Sequence, residues 1–236
     1  FEELEFRRIA ENFKKIFNLN NKISIDSQKN EISSLKAGQQ FDLFDLPGSG
    51  TENEINVSER KNISSQEHWY QFVDTQKGHE ILLQKLLQEK KVCFDTETTS
   101  LNPLQASLVG IAFAWVPKQG YYLSLPKNQK EVVRILDNFK PFFENTEIEK
   151  IGHNLKYDLK VLRNYEINVN GPFFDTMVAH YLINPDMQHN MDVLAKTYLN
   201  YSPKSISELI GKKGKNQGSM RDISLQEQTQ YAVEDA

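Results

Sequence analysis

Ten residues constrain this chain more than any others: Val92, Cys93, Phe94, Asp95, Thr96, Glu97, Thr98, Thr99, Ser100 and Leu101. An apolar run rich in β-formers reads as a buried strand. It ends in two acids at i and i+2. Side chains alternate along an extended chain, so both carboxylates point to one face. A single unpaired buried carboxylate is already costly, and two like charges on one face cost more. Either something positive sits between them, or the strand simply ends where the acids meet water. Further acids at matching places downstream decide between the two.

The totals narrow the setting. A length of 236 residues suffices for one large domain or one domain with appendages. With 39% hydrophobic and 25% charged residues, the chain has the composition of an ordinary soluble globular protein. No apolar run approaches the roughly 18 residues that a membrane span needs, and no signal peptide is visible. Cys93 is the single cysteine and cannot form an internal disulfide, which fits a reducing cytoplasm. It reads as a small buried hydrophobe rather than a nucleophile. A net charge of −4 would not draw nucleic acid to the molecule as a whole. Any such partner must be held through a local basic patch or through metal ions. The chain starts at Phe1 rather than Met, so a fragment of something longer is expected.

Taken in order, residues 1–17 place Phe1, Leu4, Ile9, Phe13, Ile16 and Phe17 at near-helical spacing, which predicts an amphipathic helix. Residues 18–66 are rich in Asn, Ser, Lys, Glu, Gln and Gly without a sustained period. They read as a largely flexible linker. The globular part, 67–236, opens with a strand over 70–73 and a helix over 78–89. After the Val92 strand, 107–116 and 121–125 read as strands joined by a turn at 117–120, hence a hairpin or meander. Helices are expected over 131–144, 155–164, 175–183, 192–199, 206–210 and 225–236. A short strand falls at 149–152, and 211–222 is a Gly- and Lys-rich loop. Strands first, then helices with one further strand, predict an α/β fold with a mixed β-sheet of about five strands flanked by helices.

The later helices carry the acids that answer the first two. Asn154 and Asp158 are spaced i and i+4 and share a helix face, and Tyr231 and Asp235 repeat the spacing on the last helix. Either pair alone arises by chance on any solvated helix. Together with Asp95 and Glu97 they supply carboxylates from several elements, which is what a hard divalent ion requires. No Cys or His cluster competes, so zinc is disfavoured.

Three segments, Asp95 to Leu101, Gly152 to Asp158 and Tyr231 to Ala236, resemble the three motifs of the proofreading 3′-5′ exonuclease domain of bacterial DNA polymerase I. That domain is the tyrosine-bearing branch of the DEDD exonuclease superfamily. The likeness extends to Phe174–Met177, His189–Asp192 and 213–217, so it covers about 92–236. Phe1 to Arg7 looks, more weakly, like the tail of a preceding 5′-nuclease region. Thr99 stands where the family would carry an acid, at a position that is not a motif carboxylate.

The resemblance implies a ribonuclease-H-like fold and a 3′-5′ exonuclease using two divalent cations, Mg²⁺ or Mn²⁺. Its substrate would be a single-stranded DNA 3′ end or primer terminus. By the same carry-over Asp95 bridges both ions, Glu97 and Asp235 hold the one that binds the attacking water, and Asp158 supports the other. Tyr231 orients the nucleophile. Thr96, Leu101, Asn154, Tyr157, Lys213 and Lys215 fall on the substrate side. A polymerase domain would be covalently attached in the full-length protein, so no polymerase activity is expected of residues 1–236 themselves. A cytoplasmic, nucleoid-associated bacterial protein is implied, with no membrane partner, and a monomer suffices. Alternatives within reach are an RNA-trimming exonuclease of the same superfamily and a catalytically silent scaffold for the polymerase. Lys212 and Arg221 share the Gly-rich loop with Lys213 and Lys215, and Lys156 and Lys160 lie near Asp158 on either a phosphate-facing or a solvated face. His180 reads as a satisfied core histidine or a phosphate-facing one, and His189 as a cap for the helix near Asp192.

Overall fold

The computed structural model describes residues 60–212, 214 and 217–236. The helix expected over 1–17, nearly all of the 18–66 linker, and Lys213 and Lys215 lie outside the described residues.

The acid-bearing strand sits in the middle of the sheet. The strands are β1 (Trp69–Val73), β2 (Lys91–Thr98), β3 (Leu108–Val116), β4 (Gln119–Ser124), β5 (Glu149–Gly152) and β6 (Phe173–Asp175). They are ordered β1-β4-β3-β2-β5-β6. The β3–β4 turn places Lys118 in the left-handed region, φ 65°. Pairing is antiparallel within β2-β3-β4 and parallel for β1-β4, β2-β5 and β5-β6. The sheet is therefore mixed, as expected, with six strands rather than about five. The sixth, Phe173–Asp175, is too short to announce itself in sequence and runs straight into the helix expected from Asp175.

The helices are α1 (Gln76–Leu86), α2 (Gln129–Phe143), α3 (Leu155–Arg163), α4 (Thr176–Ile183), α5 (Met191–Tyr198), α6 (Ile206–Ile210) and α7 (Leu225–Asp235). Strand alternation sorts residues to two faces. On one face Phe94, Ile111, Phe113 and Leu123 pack with α1, α2 and α3 in the main core. Phe113 meets the rings of Phe139, Phe142 and Phe143 at centroid distances of 6.2, 5.7 and 6.1 Å. On the other face Ala112 and Tyr122 meet Ala232 and Val233 of α7. Asp95 lies opposite Ala112 and Glu97 opposite Gly110 in the β2–β3 register. Both acids thus share the α7 face, as their i and i+2 spacing predicts. The register slips between Glu97 and Thr98, so regular pairing is interrupted just after the second acid.

Two local readings change. Asn190, not His189, caps α5, its side chain accepting from Val193 N–H at 2.9 Å. His189 instead meets His180, Nδ1 to Nδ1, at 2.7 Å, and His180 Nε2 reaches Tyr198 Oη at 3.1 Å. His180 is 6% exposed and satisfied. Upstream of His68, Lys61 pairs with the chain around Tyr201: its N–H donates to Asn200 O at 3.1 Å and its carbonyl accepts from Ser202 N–H at 2.8 Å. Ordered contacts with the 67–236 part therefore begin before residue 67. No helix among the described residues is long and apolar enough to cross a membrane.

Candidate active site

Asp95, Glu97, Asp158 and Asp235 line one cleft of about 870 Å³, with Tyr231 beside them. Each arrives by a different local rule. Asp95 and Glu97 alternate with Thr96 on β2. Thr96 points the other way and spends both donors on Asp158 Oδ1, the N–H at 3.1 Å and the hydroxyl at 2.5 Å. Asp158 lies in the first turn of α3, where the helix dipole favours a carboxylate. Tyr231 and Asp235 are one turn apart on α7, and the Asp235 charge acts on the phenol.

α3 starts in an unusual way. Asn154 adopts the left-handed conformation, φ 63°, and its side chain caps nothing. Asp175, at the end of β6, takes over. It accepts from Asn154 N–H at 3.1 Å and Leu155 N–H at 2.9 Å, and also from Met177 and Val178 N–H of its own helix. One carboxylate therefore caps two helices, and one of those carries Asp158. Asp175 lies within the Phe174–Met177 segment of the likeness, where no role is implied for it. No local pattern marks it, because its second helix is twenty residues away in the chain.

The electrostatics report convergence. Burial holds the Asp95 carboxyl well above the usual range, and repulsion from Asp158, Glu97 and Asp235 adds to it. Burial, then Asp235 and Asp158, raise Glu97 as well. Asp158 is raised by burial and pulled partly back by its Thr96 hydrogen bonds. Asp235 is pushed up to about 7 by burial, against an opposing influence of Tyr231. Tyr231 is held above the ordinary phenol range by burial and by the Asp235 and Glu97 charges. It is neutral at any physiological pH.

This donor set fits hard divalent cations. All four principal groups are carboxylates, and discharging them by a cation relieves the repulsion that holds protons on. Among the described residues no three His, Cys, Asp or Glu side chains already stand as a closed ligand cage; the acids line an open cleft instead.

The expected substrate residues separate. Thr96 lines the cleft, but its hydroxyl is committed to Asp158. Asn154 lines it from the start of α3. Tyr157 also lines it and locks the loop after β2, donating to Ser100 O at 2.5 Å and bonding Thr98 Oγ1 at 2.5 Å. Beyond that lock Leu101 is 81% exposed on the cleft wall, so ordinary packing does not explain it. Lys156, Lys160 and Lys212 are exposed, and none lines the cleft. Arg221 departs from the Gly- and Lys-rich loop expected over 211–222. It sits in a 3-10 turn, Met220–Asp222, and its guanidinium donates to the carbonyls of Leu108, Leu125 and Pro126, tying the ends of β3 and β4.

Residues 70–236 match the family model described as 3′-5′ exonuclease. The chain belongs to that family, in the form found in DNA polymerase I. It is 31% identical to DNA polymerase I of Borreliella burgdorferi over 80% of this chain and 20% of that protein. It is 34% identical to the Pseudomonas aeruginosa DNA polymerase I over 71% of this chain and 19% of that protein. It thus spans about a fifth of the length of these relatives. Brucella melitensis NrnC superposes with a TM-score of 0.55 at 22% identity, covering 72% of this chain and 76% of that one. Escherichia coli RNase D, an exoribonuclease involved in structured RNA processing, gives 0.54 at 17% identity, covering 71% and 41%. These two likenesses establish the ribonuclease-H-like fold of the exonuclease family and nothing finer.

Proposed function

We propose that this chain is a metal-dependent 3′-5′ exonuclease that removes nucleoside 5′-monophosphates from single-stranded or frayed DNA 3′ ends, as the proofreading module of an attached polymerase. The observation that carries the reading is the meeting of Asp95, Glu97, Asp158 and Asp235 with Tyr231 in one cleft. A silent scaffold would have no use for four acids whose burial opposes their own ionisation. The DNA polymerase I relatives support DNA as substrate. A Brucella melitensis NrnC structure carrying bound Mg²⁺ shares the fold and supports the choice of ion.

Divalent ions held by the four carboxylates would neutralise the scissile phosphate and lower the pKa of the attacking water. The chain's own residues do the rest. Thr96 keeps Asp158 ionised and aimed into the cleft. Neutral Tyr231, steered by Asp235, presents its hydroxyl to orient a nucleophilic water rather than to remove its proton. Leu101 offers an apolar tip on the cleft wall against which a terminal base can pack.

The test is a 5′-labelled DNA oligonucleotide incubated with the chain and Mg²⁺, beside an RNA of the same sequence. Stepwise shortening of DNA by single nucleotides supports the proposal. Shortening of RNA alone moves the chain to the RNA-trimming reading suggested by the RNase D likeness, and no shortening of either refutes exonuclease function.

A further inference from the structure

α7 rests on the sheet through small residues. A Cβ at Gly120 would meet Val233 Cγ1 at 2.4 Å, and Ala112 lies under Ala232 in the same cluster. Such a surface allows close approach but has little relief to stop a helix sliding. Yet α7 carries Tyr231 and Asp235, which must keep register with Asp95 and Glu97 on the sheet. A directional contact supplies that register.

Tyr122 of β4 lies opposite Ala112, whose partner on the far side is Asp95. It is 0% exposed. Its ring runs over Gly110, where a Cβ would meet the ring carbon and hydroxyl at 2.2 Å. Gly110 is the residue opposite Glu97, and the Glu97 charge acts on the phenol, adding to burial in raising it above its ordinary range. The hydroxyl donates to Gln228 Oε1 at 3.1 Å, and Gln228 Nε2 donates to Ile223 O at 3.1 Å. Gln228, Tyr231 and Asp235 stand at i, i+3 and i+7, one face of α7.

We propose that Tyr122 is a positioning residue whose buried hydroxyl, bonded to Gln228, fixes the register of α7 and hence the spacing of Asp235 and Tyr231 from Glu97 and Asp95. The inference rests on the exonuclease reading and adds to it a residue outside the three motifs. Phenylalanine would fill the same space, so the hydroxyl is not needed for packing. Its contribution is directional. Metal-binding carboxylates must be held within about 0.5 Å of working geometry, which apolar contact between small residues does not specify.

The experiment uses the whole chain with Tyr122→Phe, Gln228→Leu and the double variant. Readouts are kcat and KM on a short DNA oligonucleotide, the Mg²⁺ concentration for half-maximal rate, and Tm. Tyr122→Phe is expected to lower kcat roughly tenfold or more, as small displacements of catalytic groups do. KM should stay within about twofold, the Mg²⁺ requirement should rise, and Tm should move by no more than about 3 °C. The double variant should be no slower than Gln228→Leu alone, because both remove one contact. An unchanged kcat and Mg²⁺ requirement overturns the proposal, whatever happens to Tm. So does failure of Tyr122→Phe to fold, which would make the hydroxyl a stability element. If the wild-type chain itself degrades no DNA, the exonuclease reading fails and this inference with it. Wild-type activity with an unaffected Tyr122→Phe sinks the positioning role alone.

Discussion

Thr96 donates twice to one oxygen of Asp158, through its N–H at 3.1 Å and its hydroxyl at 2.5 Å. Thr96 stands between Asp95 and Glu97, so the strand that bears two of the acids also aims the third. Removing the hydroxyl in Thr96→Val leaves one donor and removes an influence that lowers the Asp158 pKa. That carboxyl should then titrate higher. The acid limb of the pH-rate profile should move to higher pH by about one unit, with a lower plateau. A limb that does not move would show that Asp158 ionisation does not control the rate.

Asp158→Ala removes a buried acid, 2% exposed, whose ionisation burial opposes. Nucleotide release should fall at least a hundredfold, on the order of other losses of electrostatic groups at a reacting centre. The metal-free fold should survive, because relief of the repulsion among like charges offsets the loss of the acceptor for the two Thr96 donors. Retained cleavage in a Mg²⁺-replete assay would remove Asp158 from the site.

Stability without metal should depend on pH. Asp235 titrates near 7 in the folded chain against an ordinary carboxylate value of 3.8, and Asp95 and Glu97 shift the same way. The folded state therefore holds protons that the unfolded chain releases. That stabilisation is fully present below about pH 4 and is lost as pH rises through about 7. In EDTA, Tm should fall by about 5 °C or more between pH 5.5 and 8.5. Millimolar Mg²⁺ or Mn²⁺ should recover most of the loss at pH 8.5, because cations bind the ionised form. A flat Tm in EDTA, or one that ignores both ions, would contradict the carboxylate cluster.

Asp175→Ala strips the cap from α3 and α4 together. Each helix N-cap contributes about 0.5–2 kcal/mol, so Tm should drop by roughly 3–8 °C. Activity measured well below Tm should fall as well, since α3 carries Asp158. Asp175→Asn keeps an acceptor and should lie between wild type and alanine. Equal Tm for wild type and Asp175→Ala would show that the shared cap is dispensable.

Leu101→Ala tests the exposed tip. At 81% exposure the side chain stabilises the fold little, so Tm should be unchanged. KM for a frayed duplex end should rise several-fold, and kcat on single-stranded DNA should change less. If both parameters equal wild type, the residue is a bystander.

Most of this site was legible before any coordinates. Asp95 and Glu97 obey strand alternation and Tyr231–Asp235 obey helical spacing, so periodicity alone put each of those pairs on a face. Asn154 instead stands before α3 in a left-handed conformation, so the helical spacing expected between it and Asp158 does not hold. What stayed hidden depends on contacts between distant segments. Asp175 caps a helix that begins twenty residues upstream, and Tyr122 looks like any core aromatic of a strand until Gly110 and Gln228 are seen around it. Arg221 read as part of a basic loop because its three carbonyl acceptors lie about a hundred residues back. The sixth strand failed for another reason: three residues carry too little alternation to register. His189 lost the capping role to its neighbour Asn190, whose shorter side chain reaches the N–H of Val193.

The small pair Ala112 and Gly120 beneath α7 has a practical corollary. Those two positions act as a spacer gauge: the thickness of side chain there sets how far the last helix stands off and how wide the gap between strand-borne and helix-borne acids becomes. A graded series of enlargements at Ala112, to Ser and then to Val, would widen that gap in small steps. It would offer a way to vary the spacing of the four carboxylates without altering any of them.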